Sequence, residues 1–241
     1  MEKTEELQQC FCIKADVIGS RLTNKADGLP KVAEKLNENS TESVLTPFTV
    51  RAGDELFAVI KNIGDGYQTF KNLFSLSQKY GISLYVGLGV GEVEPQNLKD
   101  PERINGAAIW RAANALEELK NKPGSDVLKR ISKSDYRYNI HVSDDTSLNQ
   151  AVETYLYFIM SRIRKRTEQQ QLAVEARETN PDWSNDRLFW YITETDENIT
   201  SSENATANFS KQLMRADYQF IREAENSYIY LLQTLTEKTL Q

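Results

Sequence analysis

The sequence has few of the residues on which catalytic and metal sites most often depend. His141 is the only histidine among 241 residues, and Cys10 and Cys12 are the only cysteines. We therefore expect neither a histidine-dependent triad nor a metal site with several histidines. The two cysteines are two residues apart, so on a strand they share one face. Their spacing suggests neither a zinc site nor a structural disulfide, and we expect His141 to lie in a strand.

Long hydrophobic runs are also missing. No apolar run approaches the roughly 18 residues that a membrane span requires, and 27% of the residues are charged. Residues 1–6 carry neither the basic nor the apolar part of a signal peptide. These features predict a soluble, cytoplasmic protein without a membrane partner.

The formal net charge of −6 is distributed unevenly. From Arg166 to the end of the sequence there are seven basic and 13 acidic residues, whereas the first 165 residues contain 22 of each. The excess of negative charge therefore lies entirely in the last third of the chain. An acidic segment is a poor partner for nucleic acid unless its basic residues share one face.

The hydrophobic pattern predicts an α+β protein with two domains. Up to His141, strands alternate with helices in the order β-α-β-β-α-β, followed by a further helix and strand, which is the ferredoxin-like, split-βαβ arrangement. After Ser147 the pattern is helical throughout, and residues 204–235 carry apolar side chains at the spacing of one long amphipathic helix. We predict a palm domain over residues 1–145 and an all-helical domain over residues 146–241.

Two acidic positions stand out within the predicted sheet. Asp16 lies near the end of the first predicted strand, and Asp54 follows Gly53 at the corner of a predicted β-hairpin that covers Phe48–Ile60. Glycine supplies the backbone conformation that such a corner requires. If the first strand lies beside the hairpin, the two carboxylates face each other and repel, and a divalent cation would relieve that repulsion. A polar hairpin tip in solvent is the alternative interpretation.

Four segments carry a resemblance to known families: residues 15–20 (ADVIGS), 53–56 (GDEL), 86–93 (VGLGVGEV) and 106–112 (GAAIWRA). The sequence resembles the bacterial SatD family over most of its length, with the third and fourth segments as the most specific features. More distantly, the same segments resemble the class III nucleotide cyclases, and the Gly-Asp-Glu corner is similar to that of the GGDEF diguanylate cyclases.

The cyclase resemblance implies a ferredoxin-like palm that binds a nucleoside triphosphate or another nucleotide with Mg²⁺ or Mn²⁺. It implies Asp16 and Asp54 as metal ligands, with the carbonyl group of Val17 as a further ligand. It also implies that the backbone N–H groups of Ile18, Gly19 and Ser20 hold phosphates. Paired metal ions of this kind stabilise the attacking and leaving oxygens of phosphoryl transfer.

Three further residues complete the predicted nucleotide site, each with an alternative. Glu55 is a third acidic ligand or faces solvent. Trp110 stacks on a base or, as we expect more often of such a tryptophan, packs in the core. Arg111 contacts phosphate or is a solvated helix residue.

The resemblance to cyclases is incomplete. Class III cyclases carry an asparagine and an arginine four residues apart in the helix that matches residues 106–116, and these positions are Trp110 and Asn114 here. Their purine-selecting lysine corresponds to Val50. Arg111 is one residue out of register, or about 100° around a helix. We therefore predict nucleotide binding and leave catalysis undecided. An active nucleotidyl cyclase and an inert scaffold are the alternatives.

In SatD-like proteins the tail resembles a helix-turn-helix of the sigma-factor type. Residues 166–170 resemble the start of its first helix, and residues 204–213 resemble its recognition helix. The resemblance implies a regulatory protein that contacts DNA through Asn204, Thr206, Asn208, Lys211, Gln212 and Arg215. The acidic charge of the tail favours the alternative, a helical bundle that packs on the palm or pairs with a second copy in a homodimer.

Overall fold

The computed structural model describes residues 8–19, 28–38, 42–121, 137–193 and 204–238. They fall into two compact units, which we call unit 1 (within residues 1–154 and 229–241) and unit 2 (residues 155–228). The boundary predicted after residue 145 stays a prediction. Among the described residues, none of the helices has the length and hydrophobicity of a membrane span.

Unit 1 is a mixed α+β unit built on one five-stranded sheet. Its elements are β1 (Gln8–Val17), α1 (Leu29–Glu38), β2 (Val44–Arg51), β3 (Glu55–Ile60), α2 (Ile63–Lys79), β4 (Leu84–Val93), α3 (Ala107–Asn121), β5 (Tyr138–His141) and the start of α4 (Thr146–Arg164). The strand order is β2-β3-β1-β4-β5. All neighbours are antiparallel except β4 and β5, which are parallel. The predicted order of strands and helices, including His141 in a strand, is confirmed.

The predicted hairpin is present. β2 and β3 are joined by residues 52–54, where Ala52 has φ 49° and Gly53 has φ 86°. Glycine adopts this left-handed conformation at little cost, which explains its place at the corner. The turn brings Asp54 and Glu55 to the end of the sheet where β1 finishes.

Helix α3 packs on one face of the sheet. Cys10 and Cys12 share this face, as predicted, and both are fully buried free cysteines. A Cβ atom at Gly87 or Gly89 of β4 would overlap backbone atoms of Ala108, Ala112 or Leu116 in α3. These glycines therefore allow the helix backbone to approach the strand closely, and packing accounts for them.

The other face of the sheet is covered by α2, where Phe70 packs edge-on against Tyr138 of β5 with ring centroids 5.6 Å apart. Strand residues alternate between the two faces. Tyr138 therefore faces α2, whereas Asn139 and His141 face α3, where both contact Glu118. This alternation places two polar side chains of β5 beside α3.

Unit 2 is helical. It contains α5 (Glu168–Thr179), α6 (Asn185–Thr193) and α7 (Ala205–Arg215), together with the end of α4 and the beginning of α8 (Tyr218–Lys238). Thr167 begins α5 with a capping box to Gln170, which satisfies two N–H groups at the start of the helix. Helices α5, α6 and α7 share a core formed by Ala173, Ala176, Leu188, Phe189, Ala205 and Phe209.

The prediction of one long helix from residue 204 to residue 235 is wrong, because the chain breaks between α7 and α8. Asp217 adopts φ 51°, which ends regular helical geometry. Arg166 Nε donates a hydrogen bond to the carbonyl oxygen of Ala216 at 3.1 Å. Arg162 Nη1 lies 2.8 Å from Asp217 Oδ2. Two arginines from earlier in unit 2 thus hold the break in place.

Candidate functional site

The end of the sheet where β1 meets the hairpin gathers the predicted acidic residues. Asp16 and Glu55 are direct cross-strand partners, and such partners point to the same face. The Val17 N–H group donates to the carbonyl oxygen of Asp54 at 3.0 Å. The structure therefore brings Asp16 and Asp54 to the same end of the sheet, but the position directly opposite Asp16 belongs to Glu55. We call this region the strand-end site.

Basic side chains accompany the carboxylates of the strand-end site. Lys120, in the last turn of α3, places its Nζ atom 2.5 Å from Asp16 Oδ2. Glu55 lies 3.2 Å from Lys14 Nζ and 3.7 Å from Arg51 Nη1. The charges of Asp16 and Glu55 are therefore compensated by groups of the protein itself.

This arrangement does not fit a resident divalent cation. Within the described ranges, no group of three or more His, Cys, Asp or Glu side chains is placed to hold a metal ion. The Asp16 carboxylate already contacts an ammonium group, and a divalent ion would have to displace it. The assignment of Asp16, Asp54 and Val17 as ligands of Mg²⁺ or Mn²⁺ stays a prediction that these contacts do not support.

The loop that follows β1 was predicted to hold phosphates. The Ile18 N–H group donates to the carbonyl oxygen of Ser83 at 2.8 Å, so this donor is already engaged. Gly19 is exposed and has φ 75°. Ser20 lies outside the described residues. The phosphate role of this loop stays a prediction, with Ile18 its least suitable member.

The two α3 residues of the predicted nucleotide site occupy different environments. Trp110 is 64% exposed, and its Nε1 donates to Asn105 Oδ1 at 3.0 Å. The expectation that Trp110 packs in the core is therefore wrong. Arg111 is largely buried and donates from Nη1 to the carbonyl oxygen of Val90 at 2.8 Å, so the solvated alternative is also wrong. A nucleotide contact of either residue stays a prediction.

Arg111 borders a cleft of about 650 Å³ within unit 1, which we call the α3–α4 cleft. His141 Nε2 lies 3.1 Å from Glu118 Oε2, and Asn139 Nδ2 donates to the same oxygen at 3.2 Å. The first turns of α4 close the cleft with Asn149 and Glu153. The sequence reasoning missed this group. Its only signal was the polar pair Asn139 and His141 at alternate positions of an otherwise apolar strand.

The predicted DNA-contacting residues surround α7. Asn204 precedes the helix, and Thr206, Asn208, Lys211 and Arg215 are exposed along it, whereas Gln212 is half-buried. Ala205 and Phe209 face the core of unit 2. The helix therefore presents most of the predicted residues to solvent, and their contact with DNA stays a prediction.

Comparisons with known proteins do not assign this chain to a family. No family model matches the chain, and no curated protein matches it. Among solved structures, a bacterial light-regulated adenylyl cyclase is similar to 56% of this chain over 76% of its own length, with 15% sequence identity and a TM-score of 0.39. A TM-score this low assigns neither fold family nor function, and the resemblance to the SatD family stays a prediction.

Proposed function

We propose that the protein is a regulatory protein whose unit 1 binds a nucleotide at the strand-end site without turning it over. The observation that carries this proposal is the ion pair between Lys120 and Asp16. The ferredoxin-like strand order supports it, because that order brings Asp16, Asp54 and Glu55 to one end of the sheet. Cyclase-like palms are expected to bind nucleotide phosphates at this end.

Lys120 supplies positive charge where the cyclase resemblance calls for a metal ion. A lysine ammonium group binds phosphate as a point charge. It does not stabilise both the attacking and the leaving oxygen of an in-line displacement, as paired metal ions do. The helix position of the cyclase arginine is also occupied by Asn114. Both features favour binding over catalysis.

A thermal-shift titration tests the binding proposal. We expect at least one of ATP, GTP, CTP and UTP to stabilise the protein in the presence of EDTA, and Lys120→Met to weaken that nucleotide about tenfold. Lys79→Met is the matched control, because Lys79 occupies the last turn of α2 as Lys120 does in α3. The proposal fails if no nucleotide stabilises the protein, or if stabilisation strictly requires a divalent ion.

Turnover is tested separately. After incubation with each nucleoside triphosphate and Mn²⁺, mass spectrometry should find only unreacted nucleotide. A cyclic or dinucleotide product that disappears in the Asp16→Asn variant would establish the cyclase alternative instead.

A second candidate function, DNA binding by unit 2, is favoured by the exposed face of α7. Lys211 and Arg215 are four residues apart on this helix and both are exposed. Residues at this spacing lie on the same side of a helix, where they can contact neighbouring phosphates. The acidic composition of the last third of the chain limits the affinity that this pair can provide.

Fluorescence anisotropy with a labelled duplex at several salt concentrations tests the second function. If α7 contacts DNA, replacing both Lys211 and Arg215 with alanine should reduce the slope of log affinity against log salt by about two. Arg222→Ala, an exposed arginine on α8, is the control. Equal slopes for wild type and the double variant would exclude α7 as the DNA-contacting surface.

A further inference from the structure

The α3–α4 cleft contains a buried carboxyl group whose hydrogen bonding is incomplete. Glu153 is 4% exposed, and its Oε1 atom is buried without a hydrogen-bond partner among the described residues. Glu153 also lines the cleft. A buried oxygen without a partner costs free energy, which a ligand with a matching donor recovers.

The neighbouring polar residue on α4, by contrast, is hydrogen-bonded to the chain after β5. Asn149, one turn before Glu153, accepts hydrogen bonds from the N–H groups of Val142 and Ser143 at 2.9 and 3.2 Å. Its Nδ2 atom donates to the carbonyl oxygen of Ser143 at 2.9 Å. Asn149 therefore connects α4 to the chain after β5, whereas Glu153, one turn later, lines the cleft with one oxygen unpartnered.

The charges around the cleft favour a cation. Four carboxylic acids line it: Glu117, Glu118, Asp144 and Glu153. Its one guanidinium group among the described lining residues, Arg111, already donates to Val90 and lies 3.9 Å from Asp144. His141 is hydrogen-bonded to Glu118. The negative charge therefore exceeds the fixed positive charge.

The cleft suits an organic cation better than a metal ion. Over the described ranges no set of three or more His, Cys, Asp or Glu side chains is arranged as a metal site. The volume of about 650 Å³ lies within the range of small-molecule sites. An ammonium group brings charge together with N–H donors, and the Glu153 Oε1 atom lacks such a donor.

We propose that the α3–α4 cleft binds a small organic amine, whose primary ammonium group donates a hydrogen bond to Glu153 Oε1. A diamine or polyamine places a second ammonium group near the exposed carboxylates of Glu117 and Asp144. This site is separate from the strand-end site and does not depend on the nucleotide proposal.

Binding of the amine is coupled to a proton. Burial and the nearby Glu118 carboxylate raise the pKa of Glu153 to about 7. The other charged or titratable groups of the cleft are Arg111 and Glu117 on α3, His141 on β5 and Asp144 before α4. An ammonium ion stabilises the ionised carboxylate, so binding near neutral pH releases a fraction of a proton.

Isothermal titration calorimetry with putrescine and spermidine tests the proposal on the full chain. We expect one saturable site, and about 10- to 100-fold weaker binding to Glu153→Gln, the loss typical of one charge-assisted hydrogen bond. Glu34→Gln removes the same charge from an exposed position of α1 and should bind as wild type does. Tetramethylammonium, which has no N–H group, should bind more weakly than either amine.

The wild-type protein supplies a second test if Glu153→Gln folds poorly. Titrations at pH 6.5 in buffers of different ionisation enthalpy should show proton release on binding. The proposal is overturned if neither amine binds, if Glu153→Gln binds as tightly as wild type, or if binding releases no proton. Mn²⁺ binding that is lost in Glu153→Gln, without amine binding, would instead identify a metal site and overturn the organic ligand.

Discussion

At the residue scale, Glu153 links the α3–α4 cleft to the stability of unit 1. Its pKa of about 7 in the folded protein lies above the ordinary glutamate value of about 4.5. The folded protein therefore holds a proton that the unfolded chain releases. Stability consequently falls as the pH rises from about 4.5 to 7 and then levels off, which is the opposite of the usual behaviour of a paired carboxylate.

We predict that Glu153→Gln stabilises the protein more at pH 8 than at pH 5. The difference should reach up to about 3 kcal/mol, because each pKa unit corresponds to about 1.4 kcal/mol. Urea unfolding of both proteins at the two pH values measures it. Glu34→Gln should show no such pH-dependent gain. An identical effect of Glu153→Gln at pH 5 and pH 8 would mean that the buried carboxyl is not protonated in the folded state.

Lys120 is a second residue whose contribution can be stated, and that contribution concerns local charge rather than stability. Its side chain is 38% exposed and that of Asp16 is 21% exposed, so solvent screens their attraction and the pair adds little to stability. The importance of Lys120 lies in the local charge at the end of the sheet, where it determines which ions and phosphates can approach.

At the element scale, the contact between α3 and β4 leaves no room for an added side chain. A Cβ atom at Gly89 would meet the backbone of Ala108 and Ala112, which cannot rotate away as a side chain would. We predict that Gly89→Ala destabilises the protein by about 1–3 kcal/mol or more, as overpacking of a close contact does.

The matched control is Gly64→Ala in the first turn of α2. A Cβ atom there meets only ordinary van der Waals contacts at 3.7 and 3.8 Å, and alanine is the better helix former. Thermal unfolding should therefore find Gly64→Ala as stable as wild type or more stable. If Gly89→Ala unfolds at the wild-type temperature, α3 is not held as closely as described.

The elements also show how far sequence reasoning can reach. Alternating apolar residues and the Gly53 corner were sufficient to predict the hairpin and the β-α-β-β-α-β order, because these signals are local. The break at Asp217 was missed because apolar spacing continues across it. What ends the helix is one backbone torsion and hydrogen bonds from Arg162 and Arg166, some 50 residues earlier.

The candidate sites could likewise be predicted only in part. Asp16 and Asp54 could be placed together, because a strand end and a hairpin corner meet at one edge of a sheet. The basic partner of Asp16 could not be predicted in this way. Lys120 is over 60 residues from Asp54 in the sequence and reaches Asp16 only through the packing of α3. The α3–α4 cleft draws on residues from 111 to 153 with no spacing that would reveal it.

At the scale of the whole molecule, the reactivity of the two cysteine thiols measures how readily the sheet opens. Cys10 and Cys12 are fully buried in the central strand. Burial raises the pKa of Cys10 to about 12 and raises that of Cys12 further. Since the thiolate is the reactive form, neither cysteine should react while the sheet is intact.

We predict that Ellman's reagent at pH 8 labels both thiols slowly, together, and at the rate at which the sheet opens. Full labelling should follow at once in concentrated urea. Lys99→Cys, which adds an exposed thiol, should gain one rapidly reacting group and confirm that the reagent is active. Rapid labelling of a single thiol in the native wild-type protein would show that the first strand is accessible.

Helix α3 carries Lys120 to the end of the sheet and, two residues earlier, Glu118 to the cleft. Two residues correspond to about 200° of helical rotation, so these two side chains lie on opposite flanks of the helix. Backbone atoms of α3 lie directly against Gly87 and Gly89 of β4, so the strand fixes how closely the helix approaches the sheet. One helix therefore carries a charged side chain of each of the two proposed binding sites, and its placement on the sheet fixes the position of both.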